Sequence, residues 1–419
     1  MSRFYDRLIK KYYNLRNINR ISELSFEERI ELSSDILSSM NKSGINLFRR
    51  ILPTKRKIDD SKFEIRSNVE IINLASNDYL NLTKHPKVIE RSISVSKELG
   101  IGAGSVPMLT GTSDYHKQLE NRISNFLKLE DCLTYNSCYA ANIGLLDALL
   151  KPGDVAIMDN LVHASIISGC QKVKHSYFLH NDIDSLKNTI KKFQDYKNKM
   201  IIIEGVYSMD GDIPPFDDIA QIARENKALL LIDEAHSIGV IGTKGRGIRF
   251  TSNNLNLESG DIVTGSFGKG LPGVGGFVAG SKNLISYLYF MSRPFLFSTA
   301  IPPNIAASVI TAIDLIENET EVTAKLGQNI KQFKNGLERI GLNVNRSDSA
   351  IFPLIIRDEM KVIQATKHLQ NRGIYVSPIF YPVVSKTRSR IRISVNSGLS
   401  SNDIEYCIDE IKDIKSKFL

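Results

Sequence analysis

The sequence predicts an α/β protein in which a mostly parallel sheet covered by helices is followed by a smaller α+β region. Two observations point there. From about residue 70 to 300, short apolar runs alternate with amphipathic stretches, the pattern of strands and covering helices in one sheet. Several of the apolar runs also break into polar or glycine-rich segments at their C-terminal ends, where ligands sit in such sheets.

Strands are expected at 69–74, 131–136, 154–159, 199–205, 228–233, 261–266 and 276–280. Between the first two, Ser113 caps a helix whose Leu119, Ile123, Phe126 and Leu127 form one apolar stripe. Pro302 and Pro303 precede a long helix carrying Ile305, Val309, Ile313 and Leu315. Beyond residue 340, strands near 351–356 and 390–395 and helices around 361–371 and 402–415 complete the chain. At the other end, Phe4, Leu8, Tyr12 and Leu15 recur at helical spacing, and Ser25 to Glu28 resembles a capping box opening a second helix. Residues 41–69 read as basic and irregular. The organisation is therefore a helical extension and arm (1–69), a large domain (70–305) and a small C-terminal domain (306–419).

With 419 residues, 42% hydrophobic and 24% charged, the composition is that of a soluble globular protein. No apolar run approaches the ~20 residues needed to span a bilayer, and the first residues lack a signal peptide's apolar core; the chain reads as cytoplasmic. Cys132, Cys138, Cys170 and Cys407 show neither metal-ligand spacing nor a disulfide framework, so no metal is expected. The formal charge is +8, and the first 60 residues hold 13 Lys and Arg against 8 Asp and Glu. Zinc-finger spacing, RNP-type aromatics and a helix-turn-helix pattern are missing, which argues against nucleic acid. A solvated helical extension or contact with an anionic membrane surface remains for the leader, and anionic substrates suit a mildly basic protein.

The chemistry centres on 261–276, a strand-like run that breaks into glycines around Lys269. A P-loop is excluded, because Lys269 is followed by Gly270 and the preceding glycines are wrongly spaced. Two readings stay open: a surface lysine in a flexible loop, or a desolvated amine with a lowered pKa that forms a Schiff base with a carbonyl group. Other strand ends carry partners for the second. Residues 229–233 end in Asp233, three residues before His236, and a carboxylate beside a pyridine nitrogen keeps that nitrogen protonated. Ser137, Cys138 and Tyr139 open a helix whose N–H groups suit a phosphate. His163 follows the 154–159 strand, as a core histidine or as a ring stacked on a flat ligand. Glu204 to Asp212 presents polar side chains in a turn.

Taken together, Ser76-Asn77-Asp78-Tyr79-Leu80, His163-Ala164-Ser165, Ser208-Met209-Asp210-Gly211, Asp233-Glu234-Ala235-His236, Ser266-Phe267-Gly268-Lys269 and Ser292-Arg293-Pro294-Phe295 resemble, in this order, the α-oxoamine synthases. These are pyridoxal-phosphate enzymes of fold type I, the aspartate-aminotransferase-like fold. The likeness covers about four fifths of the chain, from Ser76 onward. It implies that Lys269 forms the Schiff base, Asp233 pairs with the pyridine nitrogen, His163 stacks on the ring, and Ser208 and His236 approach the ring hydroxyl. Ser137, Cys138 and Tyr139 would lie at the phosphate and ring edge, Ser266 would contact phosphate, and Ser298 would do so from a partner subunit. Asn77 and Arg392 would hold an amino-acid carboxylate. The implied reaction is the decarboxylative condensation of glycine, alanine or serine with an acyl thioester of coenzyme A or a carrier protein, in a homodimer with shared sites.

The chain departs from the family where an arginine is common near Pro107 and a histidine near Leu399, which bears on acyl or carrier recognition. Threonine is also frequent where Ser266 stands. The rival readings are an aminotransferase of the same fold, disfavoured by the His163-Ala164-Ser165 and Ser208 to Gly211 motifs, and a non-catalytic subunit of a heteromeric synthase, which would not need Lys269, Asp233, His163 and His236.

Overall fold

A computed structural model describes residues 25–28, 30–31, 62–65, 69–251, 261–344, 347–381 and 383–418. The helical spacing of Phe4 to Leu15 and most of the 1–69 arm lie outside the described residues. Within the arm the capping box is formed: the Glu28 amide donates to Ser25 Oγ at 3.1 Å and the Ser25 amide to Glu28 Oε2 at 2.8 Å. Residues 62–65, expected to be irregular, instead form β1 (Lys62–Ile65), which pairs antiparallel with β2 (Val69–Asn73).

The main sheet comprises β3 (Asp131–Tyr135), β4 (Val155–Asp159), β5 (Lys174–Phe178), β6 (Lys199–Glu204), β7 (Leu229–Asp233), β8 (Ile262–Gly268) and β9 (Pro272–Gly280), in the order β3-β9-β8-β7-β6-β4-β5. Pairing from β8 across to β5 is parallel, while β9 runs antiparallel to both its neighbours. The 276–280 strand is thus four residues longer than expected at its start and reversed in direction. β5 is an additional edge strand.

The central strands are apolar on both sides because helices cover both faces. Successive side chains alternate between two clusters: Ile201, Ile203, Leu230 and Ile232 enter one, and Met200, Ile202 and Leu231 the other. The first cluster is closed by Leu119, Ile123 and Phe126 of the helix Asp114–Leu127 and by Val309, Ile313 and Ile316 of the helix Pro303–Asn318. The second is closed by Leu145 and Leu146 of the helix Cys138–Leu149 and by Ile285 and Leu288 of the helix Lys282–Met291.

A third apolar cluster holds the C-terminal region together. There β10 (Ile351–Ile355), β12 (Ser377–Ile379) and β13 (Arg390–Ser394) form an antiparallel sheet in the order β10-β13-β12, with the helices Glu359–Asn371 and Ser401–Phe418 packed on it. β11 (Ile374–Tyr375) pairs in parallel with β2. We propose that two of the expected domain limits lie elsewhere. β2, expected to open the large domain at residue 70, contributes Ile72 to the C-terminal cluster. The limit at 305/306 falls inside the helix Pro303–Asn318, whose buried face belongs to the large sheet. We propose instead that the large unit ends with that helix. Among the described residues no helix is long and apolar enough to cross a membrane.

Leu231 is fully buried at the centre of β7, so Leu231→Ala is expected to lower unfolding free energy by about 2–5 kcal/mol, read from the shift in urea midpoint.

Candidate active site

Strand register assembles the site. Glu204 and Asp233 stand side by side at the ends of β6 and β7, with Thr264 of β8 in the same row. In the next rows Ser266 faces Gly276, and Gly276 faces Tyr135 at the end of β3. A side chain at Gly276 would meet the backbone nitrogen of Cys138 at 2.4 Å, so only glycine lets β9 pass this close to the start of the helix Cys138–Leu149. Ser137 caps that helix by accepting from the Ala140 amide at 3.0 Å. The amides of Cys138 and Tyr139 point from its first turn with no acceptor among the described residues, the condition for an anion site. Lys269 sits on the tight turn between β8 and β9, its amide bonded to the Leu271 carbonyl at 3.1 Å.

The Asp233 carboxylate is 4% exposed. Asn142 Nδ2 donates to its Oδ2 at 2.8 Å and the Ala235 amide to its Oδ1 at 3.0 Å, with the Cys138 thiol 3.9 Å away. The same Asn142 amide group reaches Ser165 Oγ at 2.9 Å, and Ser165 Oγ pairs with His163 Nδ1 at 2.8 Å. A continuous chain of bonds therefore runs from the carboxylate of β7 to the imidazole that follows β4. His163 is an exposed residue, with Tyr139 edge-on to it at 6.2 Å between ring centres.

Burial sets the titration of the cluster. It lowers the Lys269 amine below an ordinary lysine, against the opposing pull of Asp233, Cys138 and Glu204. It also lowers His163, where Asp233 opposes and Lys269 reinforces. Burial pushes Glu204 well above the usual carboxyl range, and the neighbouring Asp233 charge adds to that.

A second group closes the site from the C-terminal region. Arg392, on β13, is 5% exposed. It donates to Asn77 Oδ1 and Ser394 Oγ at 3.0 Å, to the Tyr79 hydroxyl at 3.2 Å and to the Ser208 carbonyl at 2.6 Å. All these acceptors are neutral, and among the described residues no carboxylate pairs with this guanidinium. The Tyr79 hydroxyl also meets His236 Nδ1 at 2.7 Å, and burial holds His236 well below its usual pKa, with Lys269 and Arg392 acting in the same direction.

The aminotransferase class I and II family profile matches residues 69–411. The chain is 35% identical to the 8-amino-7-oxononanoate synthase of Thermoanaerobacter pseudethanolicus over 392 residues, 92% of this chain and 97% of that protein. It is 36% identical to 8-amino-7-oxononanoate synthase 1 of Bacillus subtilis, over 82% of this chain and 88% of that one. The chain belongs to the pyridoxal-phosphate-dependent α-oxoamine synthases. Among solved structures, serine palmitoyltransferase from S. paucimobilis superposes with a TM-score of 0.88 at 25% identity, covering 94% of this chain and 99% of that one. The 8-amino-7-oxononanoate synthase of Francisella tularensis gives 0.69 at 26% identity, over 83% and 99%. This family member is accordingly a C-acyltransferase of the fold that its motifs suggested.

The structure brings Lys269, Asp233, His163, His236, Cys138, Asn77 and Arg392 together through the bonds and fields just described. Ser266 Oγ accepts from the Gly268 amide at 3.1 Å, one row from the helix start. Ser208 enters through its backbone: its amide donates to Glu204 Oε2 at 3.3 Å and its carbonyl accepts from Arg392. Ser298 lies apart, in a cleft with Pro107, Thr134 and Asn136. Leu399, where the family often carries a histidine, is 1% exposed within the C-terminal apolar cluster. Asn142, Ser165, Tyr79 and Glu204 were not among the expected site residues. Asn142 had one signal, its place one helical turn after Cys138 and so on the same face.

Replacing Asn142 by Ala removes a buried bond to a charged group. Cofactor affinity is expected to fall about tenfold or more, measured by absorbance titration of the cofactor-free protein. Because only the unprotonated amine reacts with an aldehyde and Lys269 is lowered, the rate of pyridoxal-phosphate uptake should rise with pH and level off below 10.5, the value of an ordinary lysine. A rate still climbing past 10.5 would contradict the buried geometry.

Proposed function

We propose that this synthase joins the Cα of glycine, alanine or serine to the acyl carbon of a thioester, releasing the thiol and carbon dioxide and taking up one proton. The observation that carries this reading is the buried Arg392 with Asn77, without a carboxylate partner among the described residues and in the same cluster as an amine, a carboxylate and an exposed imidazole. An amino acid supplies the one anion that Arg392 lacks.

The residues fit the cofactor. The helix start at Ser137 to Tyr139, with Ser266, would hold its phosphate; Asp233 its ring nitrogen; His163 its ring face; Ser208 and His236 its ring hydroxyl; and Lys269 its aldehyde. When bound, pyridoxal phosphate supplies an aldehyde that takes up amines and a ring that accepts electron density from the substrate Cα. Asp233, held by Asn142 and Ala235, would stand beside the ring nitrogen. The Lys269 amine, with its lowered pKa, is the group placed to take and return the Cα proton. Arg392 and Asn77 orient the carboxylate, and His163 and His236, both lowered, remain neutral donors or acceptors at neutral pH. Ser298 is assigned to the neighbouring subunit's phosphate, in a homodimer.

The names of the relatives differ in what they imply. An 8-amino-7-oxononanoate is the product expected from alanine and a seven-carbon dicarboxylic acyl group, whereas the solved neighbours are named for serine and palmitoyl. Both fit the same bond-forming step. Incubating the loaded protein with each amino acid and acyl thioesters of increasing length should release thiol with one amino acid preferred. Lys269→Ala is expected to reduce that release by at least about 10³-fold while leaving the fold intact by circular dichroism. Substantial release by the variant would remove Lys269 from the proton-transfer role, and keto-acid-dependent turnover without thiol would make the protein an aminotransferase.

A further inference from the structure

The turn that carries Ser208 is held from both sides by charged groups, and apart from Arg392 the reaction itself does not use them. It is closed by the Gly211 amide bonding to the Tyr207 carbonyl at 2.8 Å and the Tyr207 amide to the Asp212 carbonyl at 3.1 Å. Gly211 has φ +74°, and a side chain there would strike the Ile351 carbonyl at 2.1 Å, so the turn packs directly on β10.

On the large-sheet side, His180 Nδ1 lies 3.0 Å from Asp159 Oδ1, at the end of β4, and Nε2 lies 2.7 Å from Asp212 Oδ2. The Tyr207 ring meets the imidazole edge-on with centres 4.4 Å apart. His180 loses water by burial, yet its bonds to the two carboxylates raise its pKa to about 9. It bridges them as a cation at neutral pH.

On the C-terminal side, three carbonyls of the turn accept from residues at or near β10 and β13. Arg392 Nε bonds to Ser208, Arg390 Nη1 to Met209 at 2.7 Å, and Ser349 Oγ to Gly211 at 2.7 Å. The Asp210 carboxylate takes Arg390 at 3.0 Å and Arg388 beside it. Arg390 is 1% exposed, and Asp210 is the carboxylate that balances its buried charge. Arg390 and Arg392 lie on the same face of β13, two residues apart. A displacement of the turn therefore moves the carbonyl that orients Arg392.

We propose that His180 and Asp210 are positioning residues, one on each side of the 207–212 turn, that together set Arg392 for the amino-acid carboxylate. The proposal rests on the assignment of Arg392 to that carboxylate made above. Neither residue bonds to a group assigned to the cofactor's phosphate, ring nitrogen or aldehyde, and Ser208 is the one cofactor contact the turn carries, so amino-acid affinity should fall more than cofactor affinity when they are changed.

The test uses the pyridoxal-phosphate-loaded protein, titrated with glycine, alanine and serine by visible absorbance, with cofactor affinity measured separately. For the amino acid bound tightest, Asp210→Ala and His180→Ala are expected to raise the dissociation constant about tenfold while cofactor affinity changes less than about threefold, in line with the sensitivity of such sites to small misplacement. Asp210→Asn and His180→Gln, which keep part of the bonding, should recover part of the loss. Arg388→Gln, at a half-exposed position, guards against misfolding of the others and should weaken amino-acid binding about twofold at an unchanged melting temperature. Amino-acid affinity within twofold of the unaltered protein for both alanine variants would overturn the proposal. So would an equal loss of cofactor and amino-acid affinity, which marks a general structural role. Failure of the unaltered loaded protein to bind any of the three amino acids would overturn the functional reading and this proposal with it.

Discussion

Asp233 brings its carboxylate to the end of β7 with 4% of its surface left to water, and an unpaired charge so placed would cost several kcal/mol. Its partners explain much of the surrounding architecture. Asn142 must stand on the first turn and a half of a helix, which requires β3 to end beside β9 and the helix to begin at Cys138. The same Asn142 group holds Ser165, and through it His163, so one buried charge orders residues from three separate strand ends.

The second organising effect is exclusion of water rather than pairing. Lys269, His163 and His236 are all lowered chiefly by burial, and Glu204 is raised for the same reason. Burial thus disfavours charge on these bases and on Glu204. Arg392 is the exception in kind, since a guanidinium stays protonated in proteins; the hydroxyl, amide and carbonyl oxygens around it satisfy its hydrogen bonds without neutralising its charge. Positive charge is retained at the one point where a carboxylate is to arrive.

Much of the large sheet is legible in the sequence because strands buried on both faces read as unbroken apolar runs, such as 229–232 and 200–203. What escapes is physically different. β5, Lys-His-Ser-Tyr-Phe, is an edge strand with mostly part-exposed side chains, and β11 and β12 are two and three residues long, too short for any periodicity. β1 alternates charged and apolar residues but sits in a basic stretch that hides the pattern. In the candidate site, Lys269, Asp233 and the helix start at Ser137 follow strand ends and carry their own chemical signal. Arg392 and Asn77 are 315 positions apart, and only a family resemblance joins them before the fold is seen. Asn142 has only its helical phase with Cys138 as a signal, and the His180 bridge between Asp159 and Asp212 has none, because their partners are distant in the chain and become neighbours only through the order of the sheet.

The pairing of β2 with β11 joins residues 72 and 374, and this bears on how the chain is made. Ile72 belongs to an apolar cluster whose other members mostly come from beyond residue 330. During synthesis at about 5–20 residues per second, that early strand emerges many seconds before its partner exists, while the main sheet between them is already complete in sequence. Through that interval Ile72 lacks its apolar cluster and β2 lacks the partner on its β11 edge, the kind of surface that invites pairing with other chains. Vectorial folding thus leaves the closing stitch of this protein to its last hundred residues.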